Sequence, residues 1–307
     1  MSTPFAPASP QEASIEGLFI IVLVICGVIL VLVTALVLYS IWRFRGRTGQ
    51  PDPRPVFGSR PIEIAWTAGP LLVLAFIFAM TLRTALAVNP DIHEAPDLVV
   101  VGNQWWWDVR YPKLHIETAN EIHLPVGHAL AVEIRGGDVI HDFWVPQLQR
   151  KVDAIPGHPN YIWLEASKPG TYLGACAEYC GNQHAWMRLR VIGEDANAFE
   201  AWVRQQAAIP GAPTGGEAAR GAKLFQQHTC SNCHAVAGTE AKARIGPDLT
   251  HVSTRKMLAA ERLENTPENL YRWIKDPNLF KPGSNMPNLQ LSPEDARAIV
   301  SYLEGLR

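Results

Sequence analysis

Two thiols, an imidazole and a thioether fall within twelve residues in Cys176-Ala177-Glu178-Tyr179-Cys180-Gly181-Asn182-Gln183-His184-Ala185-Trp186-Met187. A further imidazole, His141, ends an apparent strand upstream. Soft and borderline donors of this kind select copper over magnesium or calcium. A mononuclear blue-copper site needs one Cys, two His and a weak Met, but here a second Cys stands four residues from the first. Two thiolates can bridge two coppers, and such a pair shares one electron with little rearrangement. A Cys176–Cys180 disulfide and a zinc site are the alternatives. Neither accounts for Met187 or for His141.

A second constellation, Cys230-Ser231-Asn232-Cys233-His234, has the pattern by which a c-type haem is attached. Two thiols three positions apart can bond the two vinyl groups of one haem, and the adjacent His234 then reaches the iron. A redox dithiol or half a zinc site would use Cys-x2-Cys without that histidine. The opposite iron ligand should be a soft donor in an irregular loop. Met286, in Lys281-Pro282-Gly283-Ser284-Asn285-Met286-Pro287, meets that description, and a thioether there raises the potential. Met257, in a charged stretch read as helical, and His251 are its competitors. Gly246-Pro247-Asp248-Leu249 resembles the segment of class I c-type cytochromes beside the proximal histidine. The Pro247 carbonyl there would accept the imidazole N–H and fix the ring.

These donors need rigid elements to hold them. Two apolar runs come first: Gly17 to Trp42 has no charged residue over 26 positions, and Ile64 to Leu82 has none over 19. At about 1.5 Å per residue, the shorter run covers most of a ~30 Å hydrocarbon layer. The expected order is an external tail over 1–16, transmembrane helices over 17–43 and 62–88, and a basic loop over 44–61. That loop holds Arg43, Arg45, Arg47, Arg54 and Arg60 at or near its ends, with Asp52 as its main acid, which places it in the cytoplasm. The tail has no basic residue before the first span and does not read as a secretory signal. Cys26 reads as a helix-packing residue.

Residues 89–207 have β texture, with short apolar runs such as Leu98–Val101, Leu130–Ile134 and Met187–Val191 cut by Gly and Pro. Many short strands in this length predict a sandwich or barrel. Asp195 to Gln206 reads as a short helix. Residues 208–216 are rich in Pro and Gly and form a linker. From 217 to 307 the texture is helical, with starts at Glu217, Pro267 and Ser292; Ser292 can cap, and Pro293 suits a first turn. Hydrophobic residues make up 48% of the 307 and charged residues 18%, which suits a multidomain membrane protein. A formal charge of −2 argues against nucleic acid as a partner. Five cysteines are too few for a disulfide scaffold.

The pattern Cys-x-Glu-x-Cys-Gly-x2-His-x2-Met, with His141-Asp142-Phe143-Trp144-Val145-Pro146 upstream, resembles the dinuclear copper (CuA) loop of cytochrome c oxidase subunit II. The resemblance covers residues 17 to about 195; a class I cytochrome c domain behind it is the caa-type arrangement. It implies a cupredoxin-like CuA domain in which Cys176 and Cys180 bridge two coppers. His141 and Met187 would then serve one copper, and His184 with the Glu178 carbonyl the other. The Glu178 side chain would face subunit I, where this family binds magnesium. Gln104-Trp105-Trp106-Trp107 is similar to the family's aromatic patch, in which Trp105 matches the residue through which electrons enter; read without the family, three tryptophans are packing residues. Ile62-Glu63-Ile64-Ala65-Trp66-Thr67 is similar to the segment whose glutamate lies at a proton-channel mouth, with an ordinary helix-end charge as the other reading. The Asp108-Val109-Arg110 that follows the aromatic patch is less acidic than a docking site for a basic cytochrome needs, and a tethered donor relaxes that need.

The resemblance thus implies a subunit that takes electrons from an upstream cytochrome bc complex or cytochrome c. They pass from its covalent haem to CuA, and then to subunit I, with subunit III as a further partner. Subunit I reduces O2 and pumps protons; this chain alone does not. The expected place is a bacterial inner membrane, in lipid, with both extramembrane domains on the periplasmic side. A copper-containing nitric oxide reductase subunit, and an anchored shuttle without catalytic partner, are the other readings. His93, His115, His123, His128, His158 and His228 read as solvated or structural.

Overall fold

The structure, a computed structural model, describes residues 3–46, 49, 55, 57–89 and 95–307. Arg47, Asp52, Arg54 and His93 lie outside the described residues. Two compact units are present: Ala13–Val88, and Met1–Glu12 with Asn89–Arg307. The first is made of two long helices, α1 (Pro10–Arg43) and α2 (Arg60–Val88), of 34 and 29 residues. Each is longer and more apolar than a ~30 Å hydrocarbon layer requires. Leu30, Leu72 and Phe78 stand exposed along them, an arrangement that lipid tolerates and water does not. α1 starts at Pro10, seven residues ahead of the apolar run. Ser9 Oγ accepts the Glu12 N–H at 3.0 Å, and proline has no N–H to lose at a first turn.

The second unit opens with ten strands: β1 (Leu98–Asn103), β2 (Trp106–Tyr111), β3 (Ile116–Ala119), β4 (Glu121–Pro125), β5 (Leu130–Gly136), β6 (His141–Trp144), β7 (Val152–Ala154), β8 (Asn160–Leu164), β9 (Gly170–Cys176) and β10 (Arg188–Glu194). They form two five-stranded sheets in the orders β3-β2-β1-β5-β8 and β4-β10-β9-β6-β7. Each sheet contains one parallel pair, β1 with β5 and β4 with β10. The architecture is a cupredoxin-like sandwich. Its core draws Leu98, Val100, Trp107 and Val109 from one sheet and Ile122, Phe143, Leu189 and Val191 from the other. Alternation along each strand puts one face inward. α3 (Ala196–Ala207) follows, capped by Asp195 through the Ala198 N–H, and its Trp202 stacks on His123 at 4.3 Å.

The C-terminal part is helical: α4 (Gly216–Gln227), α5 (Pro267–Lys275) and α6 (Pro293–Glu304). α4 and α6 touch where a Cβ on Gly221 would fall 1.9 Å from the Ala298 carbonyl, so only glycine permits the crossing. Beside it, Phe225 meets Tyr302 edge to face at 5.7 Å. Thr266 and Ser292 cap α5 and α6. Met257 is not helical: it opens β11 (Met257–Leu258), which pairs with β12 (Leu263–Glu264). Ala259, Ala260 and Glu261 all have positive φ and turn the chain tightly between the two strands. Lys256 and Met257 give their N–H groups to Glu121 of β4 at 2.7 and 3.2 Å, so a tertiary contact overrides the local helical propensity.

Candidate metal and haem sites

β6 delivers His141, β9 ends in Cys176, and the loop before β10 brings Cys180, His184 and Met187. Cys176 Sγ stands 3.8 Å from Cys180 Sγ and 4.0 Å from His141 Nδ1. Cys180 Sγ lies 3.7 Å from His184 Nδ1 and 3.8 Å from Met187 Sδ. The Glu178 carbonyl accepts from the Cys176 thiol at 3.1 Å. A disulfide needs sulfurs about 2 Å apart, so both thiols are free. His141, Cys176 and Cys180 form a buried metal-competent cluster. The thiol–thiol hydrogen bond pulls Cys176 down to about 3, with His141 assisting against the cost of burial, and the same contact pushes Cys180 up. The set of two sulfurs, two imidazoles, a thioether and a carbonyl fits soft-metal chemistry of the copper kind.

The surroundings orient these donors. Asp138 Oδ1 sits 2.8 Å from His141 Nε2, which leaves Nδ1 facing the sulfurs. Trp107 packs edge-on against the same ring at 6.0 Å. Asp142 lies across from Asp153 on β7, and burial, with the Asp153 hydrogen bond, pushes it up to about 7. Glu178 is exposed and borders a cavity of about 570 Å³ with Val139, Ile140, Tyr179 and Gly181.

Trp105 is not on a strand. It stands in the turn between β1 and β2, because the β1–β2 ladder ends at the Asn103–Trp106 pair. It is 9% exposed, and its indole N–H donates to the Cys180 carbonyl at 3.1 Å. Glu63 belongs to the helical unit, where its carboxylate accepts the Ser59 N–H at 3.2 Å at the start of α2.

Cys230, Cys233 and His234 line a cavity of about 460 Å³ together with Met286 and Met257; His251 is not among its lining residues. His234 Nδ1 lies 2.7 Å from the Pro247 carbonyl, and burial holds this imidazole below its ordinary pKa, so it is neutral and able to ligate. A Cβ on Gly246 would sit 2.5 Å from the ring, so the missing side chain makes room for it. Size, thiol pair and neutral imidazole fit a haem. The cavity also touches Gln104, Trp105 and Trp106 of the β-domain.

The loop from Lys281 to Met286 lies on the copper-type loop. Lys281 Nζ donates to the Trp105 and Trp186 carbonyls at 2.8 and 3.2 Å. Gln183 donates to the Pro282 carbonyl. Asn285 donates to the Gln104 carbonyl at 2.9 Å, and the Gln104 side chain donates to the Cys180 carbonyl at 2.7 Å. Around these, Arg190 forms a bidentate pair with Glu261, Arg244 pairs with Glu117 at 2.8 Å, and Arg262 lies 4.1 Å over Trp186. Sequence reasoning assigned no role to Gln104, Asp138, Gln183, Lys281 or Asn285. Only closeness in sequence to a ligand marked them.

Family models match three parts of the chain: "Cytochrome C oxidase subunit II, transmembrane domain" over residues 5–84, "Cytochrome C oxidase subunit II, periplasmic domain" over 113–193, and "Cytochrome c" over 218–307. The chain is 34% identical to cytochrome c oxidase subunit 2 of Alkalihalophilus pseudofirmus, covering 99% of this chain and 91% of that one. It is 31% identical to the Bacillus subtilis protein of the same name, over 88% and 82%. The periplasmic domain of subunit II of cytochrome oxidase of Bradyrhizobium japonicum is 32% identical, with a TM-score of 0.35, over 38% of this chain and 96% of that one.

Proposed function

Because the chain belongs to the cytochrome c oxidase subunit II family, we propose that it is the subunit at which electrons enter a caa-type haem–copper oxidase, and that they pass within it from the cytochrome c domain to the copper domain. One observation carries this reading: the loop bearing Met286 rests on the loop bearing Cys180, through Asn285, Gln104 and the Cys180 carbonyl. Cys230 and Cys233 would hold a haem, His234 and Met286 would serve its iron, and the Pro247 carbonyl fixes the His234 ring. Cys176, Cys180, His141, His184, Met187 and the Glu178 carbonyl would hold the two coppers between them. Bound there, these groups supply one-electron redox chemistry at low reorganisation cost.

Each residue then has a task the geometry suits. Asp138 keeps His141 in the tautomer whose Nδ1 is free. Trp105 joins the haem-side loop to the Cys180 backbone through its carbonyl and its indole N–H and offers an aromatic route between them. Exposed Glu178, beside Val139 and Ile140, faces subunit I and supplies a side chain for magnesium. Glu63 serves the mouth of a proton path. Subunit III, an upstream cytochrome bc complex or cytochrome c, and the lipid of a bacterial inner membrane complete the setting.

The test is an EPR spectrum with metal analysis on the oxidised, loaded protein. Hyperfine structure from two equivalent copper nuclei, with two coppers for each haem, is expected; a single copper with a mononuclear pattern overturns the reading. In the Met187→Leu variant, transfer out of the c-haem should slow while that haem's spectrum stays unchanged. The swap nearly conserves volume and costs under about 1.5 kcal/mol, so a slow rate there reports ligation, not misfolding.

A further inference from the structure

We propose that Lys281 is a positioning residue for transfer between the two domains: its buried ammonium pins the Met286 loop onto the copper domain and places a fixed positive charge at the Trp105 and Trp186 carbonyls, at the edge of the copper-type loop. The inference rests on the function proposed above. Lys281 is 4% exposed, and an ammonium at such depth is costly unless its N–H groups find acceptors. Two are supplied, the carbonyls of Trp105 and Trp186. These are backbone groups of the β1–β2 turn and of the residue before Met187, so the cation ties that turn and the copper-type loop to the Met286 loop at once.

Docking between soluble redox proteins generally uses exposed charge pairs, which salt screens. Lys281 differs in kind. Among the described residues no carboxylate pairs with it, and its acceptors are the two backbone carbonyls. Burial lowers it to about 8, so it remains a cation at neutral pH. A buried charge is little screened and acts strongly on its neighbours. A positive charge at this edge of the copper-type loop favours the added electron on the copper side, and so draws the electron from the haem side toward it. One residue thus fixes the distance and biases the direction.

The test uses the assembled, loaded oxidase and compares wild type with Lys281→Met and Lys281→Arg. In Lys281→Met, haem-to-copper transfer should slow about tenfold, from loss of hydrogen bonds made by a charged group. The midpoint potential of the copper centre should fall while that of the haem stays in place. In Lys281→Arg the potential should return toward wild type, because the charge is kept; a purely structural role would not sort the potentials by charge. Native rate and native copper potential in Lys281→Met overturn the proposal. So does an equal potential in Lys281→Gln and Lys281→Arg, the comparison to make if the Met variant does not assemble. If the dinuclear signal is missing from wild type, the functional reading fails instead, which keeps the two failures distinct.

Discussion

In the β-domain, five candidate donors stand within about 4 Å of a partner donor, and three of them, Cys176, Cys180 and Met187, are packed into the hydrophobic core itself. In the C-terminal domain the candidate ligands ring a cavity of about 460 Å³ that reaches inward to Phe225, Leu270, Ile299 and Leu303. One site is built from side chains of the core itself. The other is a fold whose centre is its cofactor. The difference teaches that preorganisation and cofactor dependence are set by where the ligands lie relative to the core, even within one chain.

The sharpest way to break that contrast is to remove haem attachment. In the Cys230→Ala/Cys233→Ala double variant the void would cost on the order of 10 kcal/mol at ~24 cal/mol per Å³, an upper bound for an open cavity, and that rivals the whole stability of a domain. Residues 217–307 should lose hydrogen-exchange protection and become sensitive to protease, whereas stripping copper should leave the β-domain protected. Equal loss in both domains would erase the distinction. Next in size, Asp138→Ala frees His141 Nε2 and should weaken copper binding by roughly 10- to 100-fold, read by competition with a chelator, with the β-domain still folded. The smallest effect belongs to the rim between the domains. Arg244 is 57% exposed in its pair with Glu117, so Arg244→Ala should change docking by less than about 1 kcal/mol, seen as a transfer rate that alters only at low ionic strength.

The donor sets were legible because their chemistry is contiguous: Cys176 to Met187 spans twelve residues, and the haem pattern five. His141, distant in sequence, stood out as a further imidazole at a strand end, and only its place in the ligand set came from the resemblance. The helical anchors were legible from the absence of charge, but the start of α1 at Pro10 was not, since hydropathy is blind to the Ser9 cap. Met257 misled because Lys256-Met257-Leu258-Ala259-Ala260-Glu261 has helical propensity, and the contacts with Glu121 that oppose it come from more than a hundred residues upstream. Lys281 and Gln183 escaped for the same reason: a contact between two irregular loops leaves no period to read.

The N-terminal tail is tied to the β-domain. Ala8 donates to the Gln147 carbonyl and accepts from the Ser167 N–H, at 2.8 and 2.7 Å, while Ser9 Oγ donates to the Leu148 carbonyl at 2.6 Å. These partners are 139 residues apart for Ser9 and Leu148. At ~5–20 residues per second, synthesis separates them by roughly 7–28 s. Ser9 therefore leaves the ribosome early and waits through the making of both helices and the first strands before its partner exists. The tail can therefore dock on the β-domain only after Gln147, Leu148 and Ser167 have been made, well after α1 and α2.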